Sequence, residues 1–253
     1  MSKKKRDRNY GDAETRAKAT PGSDMTVLYW ILGAVAVLGV GILLFRAGSS
    51  ALDDTATAPV EVEGLADPQT LMRTARGVEK GNPDAPITII EFGDFQCPAC
   101  QMWFTSVKPM VEAEFVATGV AKFVFYDFPL TQMHPNAFVA ARAGHCAEEQ
   151  GKFWEFHDVL FRNQTSWSPD ASPVGRFEDY AAELGMDGTQ FSECVRSDKY
   201  ADVVTANMQL GQQMQVPSTP TIIVGKGAAL PQRVDNSLEG IRAAVALLQA
   251  QGG

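Results

Sequence analysis

The chain has 253 residues, 45% hydrophobic and 21% charged, which is enough for one well-buried domain with appendages. Its net charge of −8 conceals a split: residues 1–46 hold eight Lys/Arg against four Asp/Glu, and the remainder is strongly acidic. An acidic globular part argues against a nucleic-acid partner.

The first 24 residues read as a basic tail carrying Lys3, Lys4, Lys5, Arg6, Arg8, Arg16 and Lys18. From Met25 to Phe45 no residue is charged. A helix of that length rises about 31 Å at 1.5 Å per residue and matches a hydrocarbon core of about 30 Å, so residues 25–45 are expected to span a membrane once. The run is too long and starts too late for a cleavable signal peptide, the rival reading. Basic residues stay on the cytoplasmic side, which places the C-terminal domain outside the cytoplasm. Residues 46–76 form a linker, and within it residues 47–67 are small, acidic and aperiodic, as a flexible tether is. Leu71, Met72 and Val78 suggest a short docking element.

The globular part, residues 77–253, begins with a turn at Gly81–Pro86 that launches a strand at Ile87–Phe92. A helix follows, with Met102, Trp103, Val107, Met110, Val111 and Phe115 on its apolar face and a kink expected at Pro109. Ala121–Phe128 is a second strand ended by Pro129. Residues 134–214 are helical in pattern throughout, Thr221–Val224 is a third strand, and Leu238–Leu248 is a closing helix. His134, ahead of Pro135 and Asn136, fits a helix start and a capping or packing role.

Chemistry concentrates at Cys97-Pro98-Ala99-Cys100, directly after the first strand. A strand running into a helix aims unpaired N–H groups at the first cysteine, and these with the helix dipole favour thiolate over thiol. Pro98 suits the first helical position and sets Cys97 as a partly exposed N-cap. A zinc site would need a second ligand pair, whereas Cys146 and Cys194 stand alone and His134, His145 and His157 are scattered. The pattern therefore asks for a redox dithiol with no cofactor. On the strand before it, Ile89 and Glu91 share a face; if that face is inside, the Glu91 carboxyl rises and can exchange a proton with Cys100.

Several blocks in order, GNPDAPITIIEFGDFQCPAC, FPL followed by HPNA, GHCAEEQGKFWEFHDVLF and VPSTPTIIV, make residues 81–248 resemble the membrane-anchored, DsbA-like thiol:disulfide oxidoreductases. The resemblance implies an α/β thioredoxin-like fold with a helical domain inserted at about 134–214. It implies that Cys97 is the nucleophile and Cys100 its buried partner, that Glu91 is the acid beneath them, and that Pro220 is a cis-proline facing the dithiol. Thr219, just before that proline, would offer its backbone to an extended substrate. Ala99 departs from the best-known member, which has histidine there. Without that cation an oxidant of intermediate strength is expected.

With Cys97 and Cys100 paired by their spacing, Cys146 and Cys194 are left to form a structural disulfide, a bridge that some relatives carry. The expected function is disulfide formation in reduced, translocated proteins, with a quinone-linked membrane thiol oxidase as the reoxidising partner that the resemblance implies. A reductase or isomerase of the same fold, or a tethered chaperone, are the alternatives.

Overall fold

The computed structural model describes residues 29–33, 35–40, 56–227 and 231–250, and its contacts divide the chain into Met1–Ala51 and Leu52–Gly253. In the first unit residues 29–33 and 35–40 are helical (α1), with Tyr29 and Trp30 exposed. Among the described residues no helix is long and apolar enough to cross a membrane. The rest of the 25–45 span and the whole basic tail lie outside the described residues.

In the second unit a five-stranded sheet forms the frame. Its strands are β1 (Val78–Lys80), β2 (Ile87–Gly93), β3 (Ala121–Asp127), β4 (Thr221–Lys226) and β5 (Gln232–Val234), in the order β1-β3-β2-β4-β5. β2 and β3 run parallel, and the other pairs are antiparallel. The β-branched run Ile87-Thr88-Ile89-Ile90 suits the central strand, and the parallel pair requires the helical crossover that separates β2 from β3.

Alternation splits the strand residues between two cores. Ile87, Ile89, Phe123, Phe125, Ile222 and Val224 face one of them. Helix α3 (Pro98–Ser106), α4 (Lys108–Val111) with the π-helical turn Glu112–Val116, and the closing helix α11 (Leu238–Ala250) cover that side. Phe92, Phe128 and Ile223 face the other, against α2 (Pro68–Thr74) and α10 (Ala201–Gln213). Between β3 and α10 lie α5 (Ala137–Glu148), α6 (Phe153–Arg162), α7 (Gln164–Trp167), α8 (Val174–Glu183) and α9 (Gly188–Val195). They close around Phe156, Phe161, Trp167, Phe177 and Phe191.

Polar groups lock this helical block to the sheet. The His145 ring, fully buried, meets Asp127 Oδ2 at 2.7 Å through Nε2 and Glu148 Oε2 at 2.9 Å through Nδ1. Asn207 Nδ2 donates to the same Asp127 oxygen at 3.2 Å. One carboxylate thus ties β3 to both α5 and α10.

Three expectations are corrected. The tether does not run free to residue 67: Ala56 N–H donates to Asp198 Oδ1, Arg142 Nη1 to the Ala56 carbonyl, Val60 N–H to Thr205 Oγ1, and Gln209 Nε2 to the Leu65 carbonyl. The buried Leu65 anchors this strap, and Asp67 caps α2. The helix after the dithiol breaks at Val107 and resumes at Lys108, the kink expected from Pro109, which lacks the N–H that the preceding turn needs, but its apolar face is not the one expected. Its inner face is Trp103, Phe104, Val111 and Phe115, with Met102 and Met110 on the outside. The strands β1 and β5, three residues each, were too short to show alternation.

Cys146 on α5 and Cys194 on α9 are joined by a disulfide with Cα atoms 5.8 Å apart. Replacing both by alanine should lower the unfolding free energy by about 4 kcal/mol, the chain-entropy value for a separation of 48 residues. Urea unfolding measures it, and an unchanged midpoint would show that the bridge carries no stability.

Candidate active site

Strand β2 ends at Gly93, where an added Cβ would sit 2.3 Å from the Phe125 ring, so only glycine fits against that ring. The turn Asp94-Phe95-Gln96 follows. Asp94 Oδ1 accepts the Gln96 N–H at 2.7 Å, and the Asp94 carbonyl accepts the Cys97 N–H at 3.1 Å. The turn is gripped from the helical block as well: Gln164 Nε2 donates to the carbonyls of Phe95 at 2.8 Å and Cys97 at 2.9 Å. Gln96 Oε1 accepts the Asn136 N–H at 2.8 Å, while its Nε2 donates to the Ser168 carbonyl at 2.9 Å. These bonds fix the position of Cys97 from two directions.

Cys97 is the N-cap of α3 and Pro98 its first residue. Cys97 retains only 7% exposure, less than its N-cap position suggested, and Cys100 retains none. Pro98 and Ala99 form the exposed rim. The chemistry of the two thiols separates sharply. Cys97 is held down to about 5, first by a hydrogen bond from the Cys100 thiol; burial opposes this, and the Thr219 side chain and the N–H groups of Cys100 and Ala99 add to it. Burial pushes Cys100 well above the ordinary thiol range, with its hydrogen bond to Cys97 and the Glu91 charge acting the same way. Cys97 Sγ stands 3.5 Å from the Thr219 carbonyl, and the Thr219–Pro220 peptide is cis.

Glu91 lies on the inner face of β2, buried, with neither carboxylate oxygen hydrogen-bonded. Burial raises its carboxyl to about 8; the nearby Lys108 charge opposes the shift, and the Cys97 charge adds to it. The structure thus brings Glu91, Cys97, Cys100, Thr219 and Pro220 together, while Cys146 and Cys194 belong to the helical block. Sequence reasoning passed over Gln96 and Gln164, which act on backbone N–H and carbonyl groups, and over Asp94. His134 does not cap α5, whose N-cap is Asn136; its Nδ1 lies 2.7 Å from Asp94 Oδ2 instead.

The family described as Thioredoxin matches residues 74–243. The chain belongs to the thioredoxin family. The chain is similar to disulfide bond formation proteins. It is 28% identical to disulfide bond formation protein D of Bacillus subtilis, over 57% of this chain and 65% of that protein. The oxidised crystal structure of BdbD from the same organism superposes with a TM-score of 0.59 at 25% identity, covering 67% of this chain and 90% of that one. Wolbachia pipientis alpha-DsbA1 shares the fold, with a TM-score of 0.61 at 21% identity, over 70% of this chain and 92% of that one. The chain is also 34% identical to the Na(+)/H(+) antiporter NhaA 1 of Mycolicibacterium gilvum over 75% of its own length. It spans about a quarter to a third of the length of the antiporters that it matches.

A carboxyl raised by burial makes folding pH-dependent. The folded state keeps the Glu91 proton up to about pH 8, whereas the unfolded chain releases it near 4.5. The contribution of Glu91 to folding therefore weakens as pH rises across that window, by up to about 1.4 kcal/mol per pH unit. Glu91→Gln should remove this slope and be more stable than the parent at the alkaline end. Urea midpoints at several pH values test it, and parallel profiles for the two proteins would refute the burial argument.

Proposed function

We propose that this protein oxidises reduced, translocated polypeptides outside the cytoplasm through the Cys97–Cys100 pair. The observation that carries the reading is the asymmetry of the two sulphurs: one is a stabilised thiolate at a helix N-cap, and the other is a buried thiol three residues on. In the oxidised protein a client thiolate attacks Cys97 Sγ. The sulphur–sulphur bond breaks, Cys100 departs with the electron pair, and Glu91 supplies its proton. A second client thiolate then attacks the client sulphur of the mixed disulfide, Cys97 leaves as the thiolate, and the client disulfide is complete. A low leaving-group pKa speeds that last step and stabilises the reduced protein, which is what makes an oxidant.

A Cys97 value of about 5 lies between the values of about 7 and about 3.5 for thioredoxin and DsbA. This supports an oxidant of intermediate strength, in keeping with Ala99. The Thr219 backbone beside Pro220 would pair with the extended client, as strand addition does. Residues 25–45 would anchor the protein as a single membrane span with residues 1–24 in the cytoplasm, and a quinone-linked membrane thiol oxidase would return the dithiol to its disulfide.

Two outcomes test this. In the reverse direction Cys97 attacks a client disulfide and the Cys100 thiol resolves the product, so Cys100→Ser should accumulate mixed disulfides with clients, whereas Cys97→Ser should form none and show no exchange. Non-reducing gels report both, and trapping by the Cys97 variant would reverse the assignment. A reporter fused after Gly253 should be active only outside the cytoplasm, so cytoplasmic activity would overturn the topology.

A further inference from the structure

His134, on the loop between β3 and α5, meets Asp94, in the turn after β2, in a pair that the reaction above leaves unused. His134 Nδ1 lies 2.7 Å from Asp94 Oδ2, and the Asp94 side chain is fully buried. The same carboxylate accepts the N–H of Gln96 at 2.7 Å and of Leu130 at 2.9 Å. Asp94 stands three residues before Cys97 and receives the Cys97 N–H on its own carbonyl. It is thus built into the turn that presents the reactive sulphur.

A buried carboxylate there is adverse for a thiolate, because like charges in one site disfavour each other. An imidazolium on the carboxylate removes the conflict. The hydrogen bond that the ring donates to Asp94 is the first cause that lifts the His134 imidazole above 6.5; burial opposes it, and the charges of Asp94 and Cys97 add to it. Those two are the charged groups that bear on the ring. Coupling between two titrating sites is reciprocal, so a thiolate that favours the imidazolium is favoured by it in turn. Ala99, in the dithiol itself, offers no charge.

We propose that His134 is a positioning residue that sets the oxidising strength of the dithiol, acting as the cation paired with Asp94 behind Cys97. The inference rests on the thiol:disulfide exchange proposed above and adds a residue to it. Reduction by glutathione moves two electrons from two glutathione thiolates to the disulfide, leaving Cys97 as thiolate and Cys100 as thiol with one proton taken up. The imidazolium stabilises that reduced state and not the uncharged disulfide, so its loss weakens the oxidant.

The test uses the full-length chain, His134→Gln and His134→Lys, with two readouts: thiolate absorbance against pH, and the equilibrium with glutathione. In the Gln variant Cys97 should titrate about one unit higher. The equilibrium constant for its reduction should fall about tenfold, equivalent to about 30 mV. The Lys variant should keep the parent values within about twofold, since the charge is retained. The gap between parent and Gln variant should be full below the imidazole pKa and close as pH rises through it. A Gln variant indistinguishable from the parent overturns the proposal, as does a Lys variant shifted as far as the Gln one. The parent alone gives an independent reading: its glutathione equilibrium should bend with pH at an imidazole titration above 6.5, and a profile explained by the two cysteines and Glu91 refutes the role without any variant. If the parent exchanges no disulfide with glutathione, the proposed function itself fails, which is a separate result.

Discussion

The placement of one sulphur at a helix N-cap and the other one turn inside constrains the rest of the molecule. At the cap, Cys97 faces unpaired N–H groups and the thiol of its own partner, so charge is welcome there. One turn further on, Cys100 has no solvent and a carboxyl nearby, so charge is expelled. The same short helix therefore holds two thiols of opposite inclination. The state of both sulphurs depends on how its first turn is held.

That sensitivity explains where the polar side chains of the helical block are used. Gln164 binds two carbonyls of the turn, and Gln96 reaches to Ser168 and Asn136. A strand end alone would leave the turn free to breathe, as loops do. Aromatic contacts add to the grip: Phe95 packs on Phe125 of the sheet and on Phe161 of α6, with ring centroids 5.1 Å apart in both cases. The inserted helices thus work as a brace on the turn, in addition to any part they take in contacting other proteins.

What was legible in the sequence follows the same physics. The central strand, the long helices and the dithiol announced themselves because apolar periodicity and a proline after a cysteine are local signals. Short edge strands such as β1 and β5 are fixed by pairing with a neighbour and leave no local trace. The strap at residues 56–65 looked like a tether because its composition is small and acidic; it docks through backbone groups and the single buried Leu65, which composition does not reveal. Gln164 and Asp94 act on main-chain atoms far away in sequence or hidden in a turn, so their residue types carried no hint. His134 was visible as a helix-start residue, but its partner Asp94, 40 positions earlier, was not.

The buried His145 has a consequence for working range. Asp127 and Glu148 outweigh its burial and lift its imidazole from 6.5 to about 9. A group raised in this way contributes stability that is whole below its unfolded value of 6.5, drains away as pH climbs towards the folded one and is gone above it. Thiol exchange quickens with alkalinity, because partner thiols become thiolates near 8.5. The joint between sheet and helical block therefore holds its charge over nearly the whole interval in which incoming thiols gain reactivity. The stability that this charge lends is nonetheless drawn down across the same interval, so faster chemistry is met by a softer scaffold.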